Sequence, residues 1–358
     1  MAGKFEWTQF KDVDIQDSFF DSLKRDYDEF PQWFERKSVE LKQALVFRDE
    51  EGIGAFLYLK EENESLELKD RVLPAIPRLK IGTLKLAERF RGQRLGEGAI
   101  GVALWKWQES ELDEIYVTVF DRHDTLTNLF SIFGFVRIGM NIRGESVYLK
   151  RKQNLDYSNP KKAFPFINPN FNKACILPIN DIYHDKLLPY SELYGNNGRE
   201  IEEITAGNGV TKVFIASPYT NMSYQVNDPL FVYRIYTGTE GKKTYKSVIT
   251  SYACITRTKV IKSNRQFSVS LENFLKLVGN KSVFTDDELV NMYNTKANLV
   301  ILEFVYNGYF GKGNNVNHNT LKKSGLFESH PYNIKYNREQ FKKILELGRV
   351  ESRRVFNE

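Results

Sequence analysis

Arg91-Gly92-Gln93-Arg94-Leu95-Gly96-Glu97-Gly98 puts glycines and arginines between a strand-like stretch and a helix-like one. Backbone N–H groups at a helix start point one way and carry about half a positive charge. Glycine lets a ligand approach the main chain or lets the chain take positive φ, and arginine binds oxygens in pairs. The segment suits a pyrophosphate. Taken as bare spacing, it also suits a tight, solvated basic turn. It lacks the Gly-x-Gly-x-x-Gly run of a dinucleotide site and the Gly-x-x-x-x-Gly-Lys-Ser/Thr of a nucleotide triphosphatase.

Other chemistry is sparse. Two cysteines, Cys175 and Cys254, cannot make a disulfide framework or a four-cysteine zinc site, and reduced, inert thiols are expected. The four histidines (His123, His184, His318, His330) show no helical metal-ligand spacing, so no metal is expected. Lys and Arg number 51 against 46 Asp and Glu, a formal charge of +5 that permits a polyanionic partner. No apolar run reaches the ~20 residues of a membrane span. Met1 to Phe10 has no apolar leader core, so a cytoplasmic protein is expected.

Elements must position the turn. Asp17 to Lys37 has aromatic and aliphatic residues at helical steps, interrupted near Pro31. Leu45 to Phe47 and Ala55 to Leu59 flank Asp49-Glu50-Glu51-Gly52, which reads as a hairpin. Arg78 to Phe90 alternates as a strand, kinked near Gly82 or Ala87. Gly96 to Gln108 is helical, with Ile100, Ala103, Leu104 and Trp107 on one face. Glu114 to Phe120 is a β-branched strand. Asp124 to Phe133 is a short helix closed by Gly134, and Phe135 to Ile138 with Ser146 to Lys150 form a last hairpin.

This order resembles the GCN5-related N-acetyltransferase (GNAT) fold over residues 5–150. The matching residues are Lys80 to Leu86, Arg91 to Gly96, Tyr116-Val117-Thr118-Val119 and Leu129-Phe130-Ser131-Ile132-Phe133-Gly134-Phe135. The resemblance implies acetyl-CoA as co-substrate, its pyrophosphate on the amides of Gln93 to Gly96 and its pantetheine arm along Leu84 to Leu86. Contacts are expected from Leu84, Leu86, Arg91, Gly92, Gln93, Arg94, Leu95, Gly96 and Phe130. The sequence departs from the family twice. Arg94 stands where the motif has its first glycine. Phe130 stands where the family has a tyrosine acid, and His123 where an asparagine is common.

Acetyl transfer needs a neutral amine, a polarised thioester and a route for one proton. A backbone N–H at a strand bulge, expected near Leu86, can polarise the carbonyl. His123, Tyr116 and Glu88 are the acid–base candidates; His123 has an ordinary pKa of ~6.5. Against each stands a plainer role: a solvent-exposed helix start for His123, core packing for Tyr116, charge balance with Arg89 for Glu88.

Residues 153–175 are crowded with Pro and Asn and read as a linker or an irregular connection on the surface. Beyond them strands dominate (Val213 to Ala216, Leu230 to Tyr236, Val248 to Thr256, Leu299 to Tyr306), with helices at Leu271 to Val278, Asp286 to Tyr293 and Arg338 to Leu347. Thr285 to Glu288 has a capping-box pattern. Asn227-Asp228-Pro229-Leu230-Phe231-Val232-Tyr233-Arg234, followed by a lysine-rich turn, resembles PUA-like barrels of the ASCH or EVE type, which implies RNA or modified-base binding. Lys242, Lys243, Lys246, Arg257, Lys259, Lys262 and Arg265 interleave with Tyr245 and Tyr252, as phosphate neutralisation and base stacking would use them.

The expected fold is α/β: a GNAT-like mixed sheet flanked by helices over 1–152, a linker over 153–175, and a PUA-like β-barrel with helices over 176–358. The expected function is acetyl transfer to an RNA-linked amine, a tRNA base or an aminoacyl-tRNA, in one form as a toxin with an antitoxin partner. A protein or small-molecule amine acceptor, and a non-catalytic nucleic-acid binder, are the alternatives.

Overall fold

Apolar–polar alternation in the first 154 residues builds one seven-stranded sheet; the structure, a computed structural model, describes residues 4–191, 205–218 and 222–358. Two compact units divide the chain, Met1–Asn154 and Leu155–Glu358.

In the first unit the strands are β1 (Lys4–Gln9), β2 (Gln43–Asp49), β3 (Gly52–Glu62), β4 (Leu66–Glu67), β5 (Val72–Leu73), β6 (Arg78–Leu86), β7 (Glu114–Val119), β8 (Val136–Met140) and β9 (Ser146–Arg151). The sheet order is β1-β2-β3-β6-β7-β9-β8, with β4 and β5 as a separate ribbon. The helices are α1 (Asp21–Asp26), α2 (Phe30–Val39), α3 (Leu95–Glu109) and α4 (Asp124–Ile132). Only β6 and β7 pair in parallel in this sheet, and α3 is the crossover that such a pair requires.

Aromatic residues of the short turns before α1 and of α2 build one face of the core. Phe10 meets Phe56 edge-on at 5.4 Å, and Phe20 meets Phe56 at 5.3 Å; such pairs contribute ~0.5–1.5 kcal/mol each beyond their burial. The helical pattern is interrupted near Pro31, as expected, but Pro31 itself breaks no helix. It sits in the first turn of α2, where its missing N–H costs nothing, and the interruption falls on Tyr27 to Glu29 before it. Ile100, Ala103, Leu104 and Trp107 of α3 are fully buried, as their spacing predicted.

The second unit has β10 (Ala174–Asn180), β11 (Thr211–Ala216), β12 (Pro229–Ile235), β13 (Val248–Ser263), β14 (Gln266–Phe267), β15 (Leu299–Tyr309), β16 (Val316–Asn317) and β17 (Lys335–Tyr336). They form one sheet in the order β11-β15-β13-β12-β10-β17, with β14 and β16 paired to β13. β13 shifts register against β15 at three places, and each bulge sharpens twist and bends the strand. Its helices are α5 (Pro160–Ala163), α6 (Asp181–Leu187), α7 (Thr205–Asn208), α8 (Lys243–Lys246), α9 (Leu271–Val278), α10 (Asp286–Thr295), α11 (His318–Lys323), α12 (Arg338–Leu347) and α13 (Ser352–Phe356). The Thr285–Glu288 capping box opens α10 as expected.

The stretch expected to be a linker is core in its middle instead. Ala163, Phe164, Phe166 and Ile167 are buried within the second unit, and Asn307 Nδ2 donates to the Pro165 carbonyl at 3.0 Å. The prolines and asparagines shape short turns there, while the aromatic residues between them supply the burial.

Candidate active site

The β6–β7 ladder is short. Its rungs run from Arg78↔Glu114 to Ile81↔Val117 and then stop. Beyond them β6 pairs only with β3, and β7 only with β9. The two facing edges, Thr83 to Leu86 and Thr118 to Val119, therefore diverge with main-chain groups unspent on each other. Gly82 starts the divergence. Tyr58 pairs with Thr83 and Leu59 with Ile81, which leaves Gly82 as an inserted residue on β6. The bulge expected near Leu86 lies here instead, because a residue without Cβ tolerates the close Tyr58 ring, 3.1 Å from a built Cβ. The gap opens into a cleft of about 1630 Å³.

The glycine–arginine turn closes the open end of this cleft. Gly92 has φ +79° and Arg94 φ +63°, and Arg94 caps α3. An arginine in this left-handed conformation costs ~1–2 kcal/mol that a glycine avoids. Its guanidinium is anchored on Glu97 through Nη2 at 2.8 Å, so it is turned onto its own helix. Gly98 N donates to the Arg94 carbonyl at 3.1 Å, and the amides of Leu95 and Gly96 precede that first rung of the helix. A Cβ on Gly96 would lie 3.0 Å from Leu86, so glycine lets α3 approach the end of β6. Arg91, Gly92, Arg94, Leu95 and Gly96 line the cleft with Leu84 and Leu86. These residues fit a diphosphate attached to an extended amide chain.

Two expected contacts fall outside the cleft lining. The Gln93 amide donates to the Phe90 carbonyl at 3.0 Å and is spent inside the turn. Phe130 is fully buried against Phe135 at 5.2 Å, in the core between α4 and the last hairpin. Gly134 closes α4 with φ +80°, as predicted.

The acid–base candidates separate. His123 caps α4, is exposed and lines the cleft. Glu88 also lines it; Arg89 pairs with Asp49 at 2.7 Å rather than with Glu88. Tyr116 does not reach the cleft: it is buried with Leu66, Leu68, Val147 and Leu149, and its hydroxyl donates to Glu62. Strand alternation hid this, since either face of β7 looks apolar.

Three cleft groups escaped sequence reading. Lys85 Nζ lies on Ser22 Oγ and 5.0 Å above the Phe19 ring, and burial lowers its pKa. Glu145 is buried at 8% exposure and accepts hydrogen bonds from Tyr27 Oη at 3.3 Å and Asn141 Nδ2 at 2.8 Å. Burial and the Glu145 carboxylate push the Tyr27 hydroxyl up to about 12. The pairing of Tyr27 with Glu145 spans most of the unit, so local pattern carries no sign of it.

In the second unit the basic residues form two groups. Lys242, Lys243 and Lys246 are exposed around α8, beside the start of β13, with Lys246 Nζ 4.7 Å above the Tyr236 ring. Arg257 and Lys259 lie farther along β13, roughly 30 Å away at ~3.3 Å per residue. There they line a second cleft of about 650 Å³ with Lys276 and Lys281. Glu303 takes Lys281 at 2.6 Å, while Arg257, Lys259 and Lys276 form no ion pair among the described residues. Lys262 is not an interface residue: it is buried and donates to the Tyr293 carbonyl at 2.8 Å, at the end of α10. Tyr252 is likewise core. Both cysteines are buried and free, and burial pushes each thiol up to about 12. No metal-type cluster of His, Cys, Asp and Glu occurs among the described residues.

No family model and no curated protein matches the sequence. Solved structures are similar. An acetyltransferase of the GNAT family from Streptococcus agalactiae shares 14% identity at TM-score 0.30, covering 37% of this chain and 79% of its own. A variant of the toxin AtaT, bound to the C-terminus of the antitoxin AtaR and acetyl-CoA, shares 15% at TM-score 0.32, covering 42% of this chain and 94% of its own. The protein ZmASCH from Zymomonas mobilis shares 7% at TM-score 0.30, covering 48% of this chain and 94% of its own. The chain is thus similar to N-acetyltransferase structures over its N-terminal part and, separately, to an ASCH structure.

Proposed function

We propose that the first unit moves the acetyl group of acetyl-CoA to an amine, and that the second unit presents this amine on RNA, as a tRNA base or the amino acid of an aminoacyl-tRNA. The parted parallel strands, with a phosphate-type turn at their open end, carry the donor half of this reading. The pantetheine arm is an amide chain and adds to the free edge of β6 as a further strand. Its pyrophosphate meets the Leu95 and Gly96 amides and Arg91. A main-chain N–H at the Gly82 bulge serves the thioester oxygen.

The amine nitrogen attacks the thioester carbon. A C–N bond forms, the C–S bond breaks and coenzyme A leaves as thiolate. With phenylalanine at the usual tyrosine position, His123 is the cleft residue assigned to return a proton to sulfur. Placing the two reactants together accounts for up to ~7–11 kcal/mol of the barrier.

Arg257, Lys259 and Lys276, which form no ion pair among the described residues, with exposed Tyr245 near the α8 lysines, support the RNA half. Acetylating an aminoacyl-tRNA removes the amine that peptide-bond formation needs. Such a protein acts as a toxin and requires an antitoxin partner.

Incubation with radiolabelled acetyl-CoA and total cell extract tests this. Label entering RNA supports the whole reading. Label entering protein or small molecules keeps the donor half and replaces the acceptor. Absence of acetyl-CoA binding in calorimetry overturns both.

A further inference from the structure

Glu145 occupies an unusual position for a carboxylate. It follows Gly144, φ +82°, in the β8–β9 turn, one residue beyond the last β7–β9 rung, Val119↔Ser146. That places it at the open end of the parted strands, in the wall of the same cleft. Asn141 builds the turn: its Oδ1 accepts from the Arg143 and Glu145 amides at 3.0 and 2.9 Å, and its Nδ2 donates to Glu145 Oε2. Tyr27 donates from the end of α1 to Oε1. Both partners are neutral.

Two cations beside this turn pair with other carboxylates at the surface. Arg122 pairs with Asp26 at 3.0 Å and Arg143 with Glu29 at 3.7 Å. Among the described residues, no Lys or Arg forms an ion pair with Glu145. A buried carboxylate held by neutral donors is a costly arrangement unless a cation comes to it. The cleft leaves space for that cation to arrive from solution.

We propose that Glu145, held by Tyr27 and Asn141, receives the acceptor as an aliphatic ammonium ion and takes its proton before attack on the thioester. This rests on the acetyl-transfer reading and sharpens its acceptor. The ammonium gives one N–H proton to a Glu145 oxygen and becomes the neutral nucleophile. After the C–N bond forms and C–S breaks, the second N–H proton reaches the thiolate sulfur, and Glu145 releases its proton to water. A nucleobase amine is uncharged at neutral pH and gains nothing from this site. The α-amine of an aminoacyl ester, a free amino-acid amide or a lysine side chain does.

The test compares wild type, Glu145→Gln and Tyr27→Phe, with phenylalaninamide, aminoacylated tRNA and cytidine as probes of acetylation. Calorimetry with acetyl-CoA is run first. Unchanged donor affinity in Glu145→Gln shows an intact donor site, whereas failure of the wild type to bind overturns the acetyl-transfer reading instead. Glu145→Gln is expected to raise KM for the amine probes at least tenfold at pH 6.5. Its kcat/KM should then climb about tenfold more steeply than wild type toward pH 8.5, as the α-amine (pKa ~7.7) loses its own proton. Tyr27→Phe should raise KM less and keep the wild-type pH slope. Label on cytidine, no label on any cationic amine despite acetyl-CoA binding, or identical KM and pH profiles in wild type and Glu145→Gln each overturns the assignment.

Discussion

Arg78 and Glu114 face each other on the first rung of the parallel pair, and Arg78 Nε donates to Glu114 Oε2 at 2.5 Å in a buried setting. Arg151 on β9 reaches the other oxygen at 2.6 Å, so one carboxylate ties three adjacent strands at the end where they are still paired. Four residues farther on, Gly82 lets the same strands part. The clamp and the bulge together set where the gap begins. Replacing Glu114 by Ala leaves Arg78 buried without its carboxylate, a class of change that costs ~3–5 kcal/mol. A lowered melting temperature and weakened acetyl-CoA affinity are expected together. Wild-type donor affinity in a destabilised Glu114→Ala protein would show that the clamp does not govern the gap.

The turn gives a sharper test. Changing Arg91 and Gly96 together to Glu puts negative charge beside the Leu95 amide and a side chain against Leu86. Acetyl-CoA binding should vanish in calorimetry while the protein stays folded by circular dichroism; retained affinity would refute the placement. Arg94 separates strain from binding. Arg94→Gly removes the left-handed penalty and loses the Glu97 pair, so its stability should stay within ~1 kcal/mol of wild type. Arg94→Ala loses the pair and keeps the penalty, and should be the less stable of the two by urea unfolding.

Much of this site was legible because it is local. The Arg91 to Gly98 turn, the burial face of α3 and the Gly134 cap depend on neighbours a few residues away, and spacing reports them. Tyr116 was misread for the opposite reason. Its role is set by Glu62, fifty-four positions earlier, and by which face of β7 the sheet buries. Glu145 was invisible on the same ground, since Tyr27 lies 118 positions away. The 153–175 stretch misled through composition: Pro and Asn mark turns, and turns do not reveal whether Phe164 and Phe166 between them are buried.

His123 and Tyr116 can be told apart by activity against stability. His123→Ala should lower turnover, by ~10²-fold if it serves the thiolate, and leave the melting temperature unchanged. Tyr116→Phe strips one hydrogen bond from Glu62 and should cost ~1 kcal/mol of stability with turnover preserved. Small, equal effects on turnover would mean that proximity alone carries the chemistry.

Glu303 predicts the acid response of the second unit. Burial alone would raise its pKa, but Lys161 at 3.0 Å and Lys281 at 2.6 Å outweigh it and bring the carboxyl from 4.5 down to about 2. Lys281 bears a cost in the same contact, since burial lowers its own pKa despite Glu303. The carboxylate is the partner that titrates in acid. Its folded pKa lies below the unfolded one, so its contribution is complete above about 4.5 and disappears as pH falls toward 2. At ~1.4 kcal/mol per pKa unit the loss is at most about 3 kcal/mol. The melting temperature of this unit should be flat in Glu303's contribution from pH 7 to pH 5 and then drop. Glu303→Gln should start lower at pH 7 and drop less, so the two curves converge below pH 3. Parallel curves across that range would show that Glu303 gains nothing from Lys161 and Lys281.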